Sequence, residues 1–376
     1  ATKRYPNSDR PAVDALTLEV PAGEICVLVG PSGCGKTTAM RMVNRMTEIT
    51  DGDILVGGRS VCEADENELR RRVGYVIQQI GLFPHRTINE NIGAVPQLLG
   101  WKKERTRERA AELLALIGLD PELGDRYPAQ LSGGQQQRVG VARALAADPL
   151  VMLMDEPFGA IDPINRERLQ NEFLRLQAEI QKTVLFVTHD IDEAIKMGDR
   201  IAVMREGGRV EQYATPAELL MAPANEFVED FVGADRALKR LALMRVRDIN
   251  LWEAPLAHVG QASAEVRAKL ASPDVEVPYP LLVDGERRPL GWLSERDLAA
   301  EIVPGRPDSP LGPVLELDDV MRDALADLLQ GEAQYAPVVD HQRRIVGVLS
   351  VEIISEFLAS PDAKSDEHPA VERPHE

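Results

Sequence analysis

Gly30-Pro31-Ser32-Gly33-Cys34-Gly35-Lys36-Thr37-Thr38 stands between an apolar run, Ile25-Cys26-Val27-Leu28-Val29, and a segment of helical character from Ala39 to Met46. Strand, glycine loop and helix in that order are the context of a phosphate-binding P-loop. Successive backbone N–H groups curl into a concave anion site. The following helix adds the positive end of its macrodipole, worth up to ~1–2 kcal/mol for a well-placed anion. Gly33 and Gly35 lack a Cβ, so the chain can turn sharply and approach phosphates closely. In such a loop Lys36 would reach β- and γ-phosphate oxygens, and the Thr37 hydroxyl would ligate Mg2+. The alternative is an ordinary glycine-rich turn, which would not require Gly30, Gly35, Lys36 and Thr37 in register.

Two later stretches end in matching chemistry. Leu150-Val151-Met152-Leu153-Met154 is continuously apolar, as a parallel strand covered on both faces should be, and it ends in Asp155-Glu156. Carboxylates at the end of a buried strand are costly unless a cation or proton chemistry uses them, and ligands of α/β sheets sit at that end. Asp155 is therefore the expected Mg2+ partner, through water, and Glu156 the expected residue to polarise an attacking water. A pair of carboxylates capping a turn is the plainer alternative. Thr183-Val184-Leu185-Phe186-Val187 is a second such strand, ending in Thr188-His189-Asp190. His189 is placed to hydrogen-bond a γ-phosphate or the attacking water; a lone histidine there would be structural, and only its position beside the carboxylates argues otherwise.

Other segments are read by period. Leu16-Thr17-Leu18-Glu19-Val20 alternates and predicts an antiparallel strand. Ile54-Leu55-Val56, flanked by Asp51-Gly52 and Gly57-Gly58, and residues 201–212 around Gly207-Gly208 predict hairpins. Val73 to Ile77 predicts a strand leading to Gln78-Gln79. From Gly81 to about Ala147 the pattern is helical, with Gly118 a helix-ending glycine. Leu131-Ser132-Gly133-Gly134-Gln135 opens a helix that Asp148-Pro149 stops. Ser132 could be a simple N-cap worth ~1 kcal/mol, but a cap does not call for two glycines and three glutamines beside it.

The 376 residues predict two or three domains. Aromatics are 4%, so aliphatic side chains and methionine must fill the cores. A net charge of −18 argues against nonspecific nucleic-acid binding, and no nucleic-acid partner is expected. Cys26, Cys34 and Cys62 form no metal or disulfide pattern, which fits a reducing compartment. No apolar run of ~18 residues suggests a membrane span.

In this order the motifs resemble those of the ATP-binding subunit of an ABC transporter, over about residues 1–235. The resemblance implies an α/β P-loop NTPase fold, a RecA-like core with a helical subdomain at about 81–147. Gly30, Pro31, Ser32, Gly33, Cys34, Gly35, Lys36, Thr37 and Thr38 are similar to the Walker A motif, Leu131 to Gln135 to the signature motif, and Val151 to Glu156 to Walker B. Gly159-Ala160-Ile161-Asp162 resembles the D-loop, with Ile161 where leucine is usual, and His189 the switch histidine. By the same resemblance Gln78 contacts Mg2+ or the attacking water, with Gln79 the neighbouring register, and Tyr5 stacks on adenine. The family's first strand would precede Tyr5, where little chain is available, so the sequence is expected to lack its native beginning. The resemblance also implies a homodimer in which Ser132, Gly133, Gly134, Gln135 and Asp162 meet the ATP of the partner protomer.

Gln78-Gln79-Ile80-Gly81-Leu82-Phe83-Pro84-His85 is similar to the corresponding loop of importers of quaternary amines such as glycine betaine, choline and carnitine. That implies integral-membrane permease subunits, a separate substrate-binding protein and a place on the cytoplasmic face of the membrane. The cargo would not touch this chain, so no aromatic cage for a cation is expected. An importer of amino acids or another small solute is the first alternative. A soluble ABC ATPase of repair or translation is the second, but such proteins commonly fuse two cassettes or carry long coiled coils, and this chain shows neither.

Beyond a linker at 236–243 an internal repeat is visible. Val283-Asp284-Gly285-Glu286-Arg287-Arg288 and Gly291-Trp292-Leu293-Ser294 echo Val339-Asp340-His341-Gln342-Arg343-Arg344 and Gly347-Val348-Leu349-Ser350. This resembles a tandem α+β CBS module, with repeats at 244–302 and 303–360. The resemblance implies regulation by cyclic di-AMP or another adenine nucleotide, or by ionic strength through Lys239, Arg240, Arg245 and Arg247. Ser294 and Asp297 match the ribose-binding pair of such modules; Ser350 is followed at the matching position by Ile353. Ser-x-x-Asp is equally a helix capping box. The acidic tail 361–376 is expected to be disordered.

Overall fold

Strand β1 (Ile25–Val29) is buried along its whole length. It leads to α1 (Lys36–Val43), a small antiparallel hairpin of β2 (Leu55–Val56) and β3 (Arg59–Ser60), α2 (Glu66–Arg72) and β4 (Val73–Val76). A helical stretch follows: α3 (Ile88–Ile92), α4 (Ala94–Leu98), α5 (Lys103–Leu116) and α6 (Gly133–Leu145). Strand and helix then alternate through β5 (Val151–Asp155), α7 (Pro163–Ile180), β6 (Thr183–Val187) and α8 (Ile191–Met197). The antiparallel hairpin of β7 (Arg200–Arg205) and β8 (Arg209–Ala214), then α9 (Pro216–Met221) and α10 (Glu226–Val232), complete a first compact unit, Ala1–Gly233. This computed structural model describes residues 1–359 except 7, 78–80, 160, 273–274 and 310. Gln78 and Gln79, Ala160 and the tail therefore lie outside the described residues.

The main sheet runs β4-β5-β6-β1-β7-β8, parallel except for the last pair. Alternate residues feed two cores. Val27, Val29, Met152, Met154 and Phe186 join Ile88, Leu113 and Leu114 on one face. Cys26, Leu28, Leu153 and Leu185 join Met40 and Met42 on the other. With β1 in the middle, the loops after β1, β5 and β6 open at one edge, where an α/β sheet binds its ligand. Residues 16–20 are not a strand: they make no ladder, although Leu16, Leu18 and Val20 do pack on the core. Alternation reported which side chains face inward, while the backbone bonds went elsewhere, Leu16 N–H to Ala1 and the Glu19 carbonyl to the Tyr213 hydroxyl.

The second unit begins at Ala234. The expected linker is helix α11 (Arg236–Leu243). After it come β9 (Leu256–His258), α12 (Ser263–Leu270), β10 (Leu281–Val283), β11 (Pro289–Trp292), α13 (Glu295–Ala299), β12 (Leu315–Glu316), α14 (Met321–Gln330), β13 (Tyr335–Val339), β14 (Ile345–Ser350) and α15 (Val351–Ala359). Two three-stranded sheets, β9-β10-β11 and β12-β13-β14, each hold one parallel and one antiparallel pair.

The repeat has a constant offset of 56 residues, as from Asp284 to Asp340. Each of these aspartates accepts N–H bonds at 2.8 Å from two residues of its own turn. Arg287 and Arg343 take left-handed φ of 63° and 64°. The halves exchange chain: Gly347 packs against Leu251 and Trp252, and Gly291 against Pro307 and Ser309, at the same offset. Leu241 and Val246 are buried in one core with Leu315, Met321 and Leu349. Packing thus crosses the expected boundaries at 243/244 and 302/303.

Candidate active site

The loop after β1 is built on close backbone approach. Gly35 caps α1 at φ 108°, and a Cβ there would collide with the Ala12 carbonyl. Lys36 is 6% exposed, and its ammonium donates to the carbonyls of Gly30 at 2.7 Å and Pro31 at 2.9 Å. The side chain is thus held inside the loop, where the N–H groups opening α1 already favour an anion.

Thr37 comes next, and its hydroxyl donates to Asp155 Oδ1 at 3.1 Å. Asp155 ends β5 and is 8% exposed. Burial pushes its carboxyl above the usual range, with the Thr37 hydrogen bond and the Arg41 charge working against that. The Tyr75 hydroxyl lies 3.5 Å from Asp155 Oδ2. Sequence reasoning missed Tyr75; the signal was a tyrosine, whose hydroxyl needs a partner, inside the apolar run of β4. A hydroxyl and a carboxylate converging on one point are hard oxygen donors suited to Mg2+. Among the described residues no three His, Cys, Asp or Glu side chains form a metal cage. Thr37 and Asp155 thus present two oxygen donors side by side.

Glu156 continues the ladder through its N–H to Val187 at 2.9 Å, then turns the chain at φ 45°. A left-handed glutamate costs roughly 1–3 kcal/mol, and such strain concentrates at functional sites. His189, two residues beyond β6, brings Nδ1 to 3.2 Å from Glu156 Oε1. Four expected residues, Thr37, Asp155, Glu156 and His189, thus meet at one sheet edge beside Lys36.

Others are not brought there within one chain. Ser132 caps α6 in a capping box with Gln135, and Ser132 and Gly133 are exposed. Asp162 caps α7, where the Asn165 side chain and N–H hold its carboxyl below the usual range. Among the described residues no hydrogen bond or ion pair joins Ser132–Gln135 or Asp162 to the loop at Gly30–Thr38. Tyr5 is 45% exposed, with Lys3 over its ring at 5.1 Å. The neighbouring residues Ser8, Arg10 and Ala12 line a cleft of about 480 Å³ that includes Gly33.

In the second unit, Ser294 and Asp297 form the capping box of α13. Asp297 accepts from the Ser294 hydroxyl at 2.7 Å, its N–H at 2.8 Å and the Asp308 N–H at 3.3 Å. Burial raises its carboxyl, but these hydrogen bonds outweigh it and bring it below the usual range. The basic candidates also have partners: Lys239 with Asp235, Arg240 over Phe357, and Arg245 and Arg247 with Asp318.

Known proteins match both the sequence and the fold. The ABC transporter family model covers residues 13–159. The osmoprotectant import ATP-binding protein OsmV of Salmonella typhimurium is 47% identical, over 93% of this chain and 91% of that one. The chain belongs to the family of ATP-binding subunits of osmoprotectant ABC importers. A glycine betaine/carnitine/choline transport ATP-binding protein of Bacillus subtilis, OpuCA, is 44% identical over 90% of each chain. Among solved structures, a bacterial ABC transporter cassette in dimeric form superposes with TM-score 0.50 at 35% identity, over 57% of this chain and 96% of that one. The cassette cbiO1 of Clostridium perfringens gives TM-score 0.55 at 25% identity, over 64% and 92%. This family member is accordingly an ABC-type ATPase.

Proposed function

We propose that this chain hydrolyses ATP to energise import of a quaternary-amine solute, of the glycine betaine, choline or carnitine type, through separate permease subunits. A separate binding protein delivers the solute. The observation that carries the chemistry is the 3.2 Å approach of His189 to Glu156, directly after the Asp155–Thr37 contact. Lys36 and the loop amides from Gly30 to Thr38 hold the phosphates, and Tyr5 stacks on the adenine. Thr37 and Asp155, with Gln78, would hold Mg2+, which supplies positive charge to the phosphate oxygens when bound.

Glu156 orients the attacking water and draws its proton as the new P–O bond forms and the bond to the β-phosphate oxygen breaks. His189 holds the Glu156 carboxylate and faces the γ-phosphate. The exposed amino end of α6, with Ser132, Gly133, Gly134 and Gln135, and the Asp162 turn complete the site from a second protomer; a solved neighbour of this cassette is a dimer. A helix amino end directed at a γ-phosphate supplies the anion contact. Among the described residues no helix is long and apolar enough to cross a membrane. The chain attaches peripherally, and we place it on the cytoplasmic face.

Glu156→Gln tests the assignment. It should keep ATP affinity and lose hydrolysis by ~10²–10⁴-fold, measured by nucleotide binding and phosphate release; full turnover would refute the role. Uptake of labelled glycine betaine that depends on Glu156, and co-purification with a multi-span subunit, test the transport assignment.

The second unit, with its 56-residue repeat, is proposed as a regulatory tandem CBS module responding to cyclic di-AMP or another adenine nucleotide. Ribose binding at Ser294 and Asp297 would have to displace the capping bonds of α13. Titration calorimetry of the full chain with Lys36→Ala, so that the cassette is silent, should show heat with an adenine nucleotide; none would count against the module's ligand.

A further inference from the structure

Against the expectation of no aromatic cage, three rings meet in the second unit. Tyr279 and Tyr335 lie 6.2 Å apart at 64°, and Trp292 and Tyr335 lie 6.5 Å apart at 55°. The two tyrosines are equivalent in the repeat, separated by its 56-residue offset. Tyr335 opens β13, and Tyr279 stands two residues before β10. Trp292 ends β11 and is anchored on the small core of Leu281, Val283 and Ile345. Tyr279 is 48% exposed, so the cluster reaches solvent. The Glu352 carboxylate, after burial the next influence on Tyr335, helps push that phenol above its usual range. At the same offset Arg296 holds in the first repeat the place that Glu352 holds in the second, each the second residue of its helix.

Inclined rings with an anionic neighbour suit one chemical class. A quaternary ammonium has no N–H to donate, so hydrogen bonding cannot select its cationic end. Aromatic faces and a carboxylate can, through cation–π and Coulomb attraction. Buried aromatic packing alone explains less: Tyr279 is half out of the core, and neither tyrosine hydroxyl has a hydrogen-bond partner among the described residues. We propose that Tyr279, Trp292 and Tyr335, with Glu352, form a binding site for a quaternary-ammonium solute. The solute class rests on the transport reading above, and the site would let the second unit register what the transporter imports.

The test uses the full chain. Equilibrium dialysis with labelled choline and glycine betaine, and quenching of tryptophan fluorescence by tetramethylammonium, should show saturable binding at one site per chain. Tyr335→Leu and Trp292→Leu should each weaken it about tenfold. Tyr335→Phe should keep it within about threefold, which separates loss of the ring from loss of fold. Glu352→Gln should weaken it several-fold. The neutral isostere 3,3-dimethylbutan-1-ol should bind at least tenfold more weakly than choline.

Equal binding of the neutral isostere, or no saturable ammonium binding, would overturn the proposal. So would AMP or cyclic di-AMP quenching Trp292 in a Tyr335-dependent way while tetramethylammonium does not, which would make the cluster a base-stacking site. Glu156-dependent uptake of glycine betaine without this binding would overturn the site and leave the transport reading intact. Binding without such uptake would do the reverse.

Discussion

Asp155, at the end of β5 in the first unit, and Asp297, in the first turn of α13 in the second, are both buried aspartates, and their surroundings drive them in opposite directions. Among the described residues Asp155 has hydrogen bonds from two hydroxyls, Thr37 at 3.1 Å and Tyr75 at 3.5 Å, and burial pushes its carboxyl up against these and the Arg41 charge. Asp297 accepts two backbone N–H groups and a hydroxyl, and its carboxyl is pulled down. Burial dominates at Asp155, whereas at Asp297 the hydrogen-bond donors outweigh it. A buried carboxylate short of donors is built for a cation, whereas one saturated by its own helix cap is built for the fold.

The widest test of that contrast is hydrolysis. Asp155→Asn should lower Mg2+-dependent ATP turnover at least ~10²-fold, because a charge that helps hold the metal and its phosphate is lost. Asp297→Asn should leave turnover within about twofold under the same phosphate-release assay. Comparable losses in both would erase the distinction between a ligand site and a cap.

Stability should divide the pair the other way. Asp297→Asn weakens the capping box of α13 and should cost ~1 kcal/mol in denaturant unfolding of the second unit. Asp155→Asn removes a carboxylate that burial disfavours, so without nucleotide it should leave the first unit no less stable. Stabilisation by Mg2+–ATP, which grows with ligand concentration over Kd, should survive in Asp297→Asn and shrink in Asp155→Asn. A nucleotide-free first unit clearly destabilised by Asp155→Asn would show that its carboxylate already has the partners it needs.

The same contrast explains what could be read from the chain in advance. The loop at Gly30–Thr38 and the strand ends at Asp155 and His189 were legible because each is a local pattern that follows an apolar strand directly. Ser294 and Asp297 were not decidable, because a cap and a ribose clamp ask for the same residues at the same spacing. The left-handed turn at Glu156 and the reach of Tyr75 to Asp155 depend on strands far apart in sequence. Residues 16–20 misled because period two records burial and not pairing. Tyr279 and Tyr335 stand at the 56-residue offset, outside the stretches by which the repeat was read, and their meeting required two halves that exchange chain segments.

The smallest effect is the slope of stability with pH, and its sign is the sharpest discriminator. Asp155 has a folded pKa above its unfolded value, about 3.9 for a free aspartate. Its favourable contribution is full below that value and is lost as pH rises through the folded pKa. Asp297 has a folded pKa below its unfolded value, so its contribution is present above about pH 4 and is lost as pH falls through the folded pKa. Other carboxylates are shifted as well, among them Glu193, raised by burial, and Asp340, lowered by the Arg344 N–H. The comparison is therefore each aspartate against its own asparagine variant. On acidification from pH 6, wild type should gain stability relative to Asp155→Asn and lose its advantage over Asp297→Asn. Saturating Mg2+–ATP should reverse the first difference, because the ionised form of Asp155 then has its cation, and should leave the second unchanged. If nucleotide moved both differences alike, or neither, the two aspartates would be doing the same job.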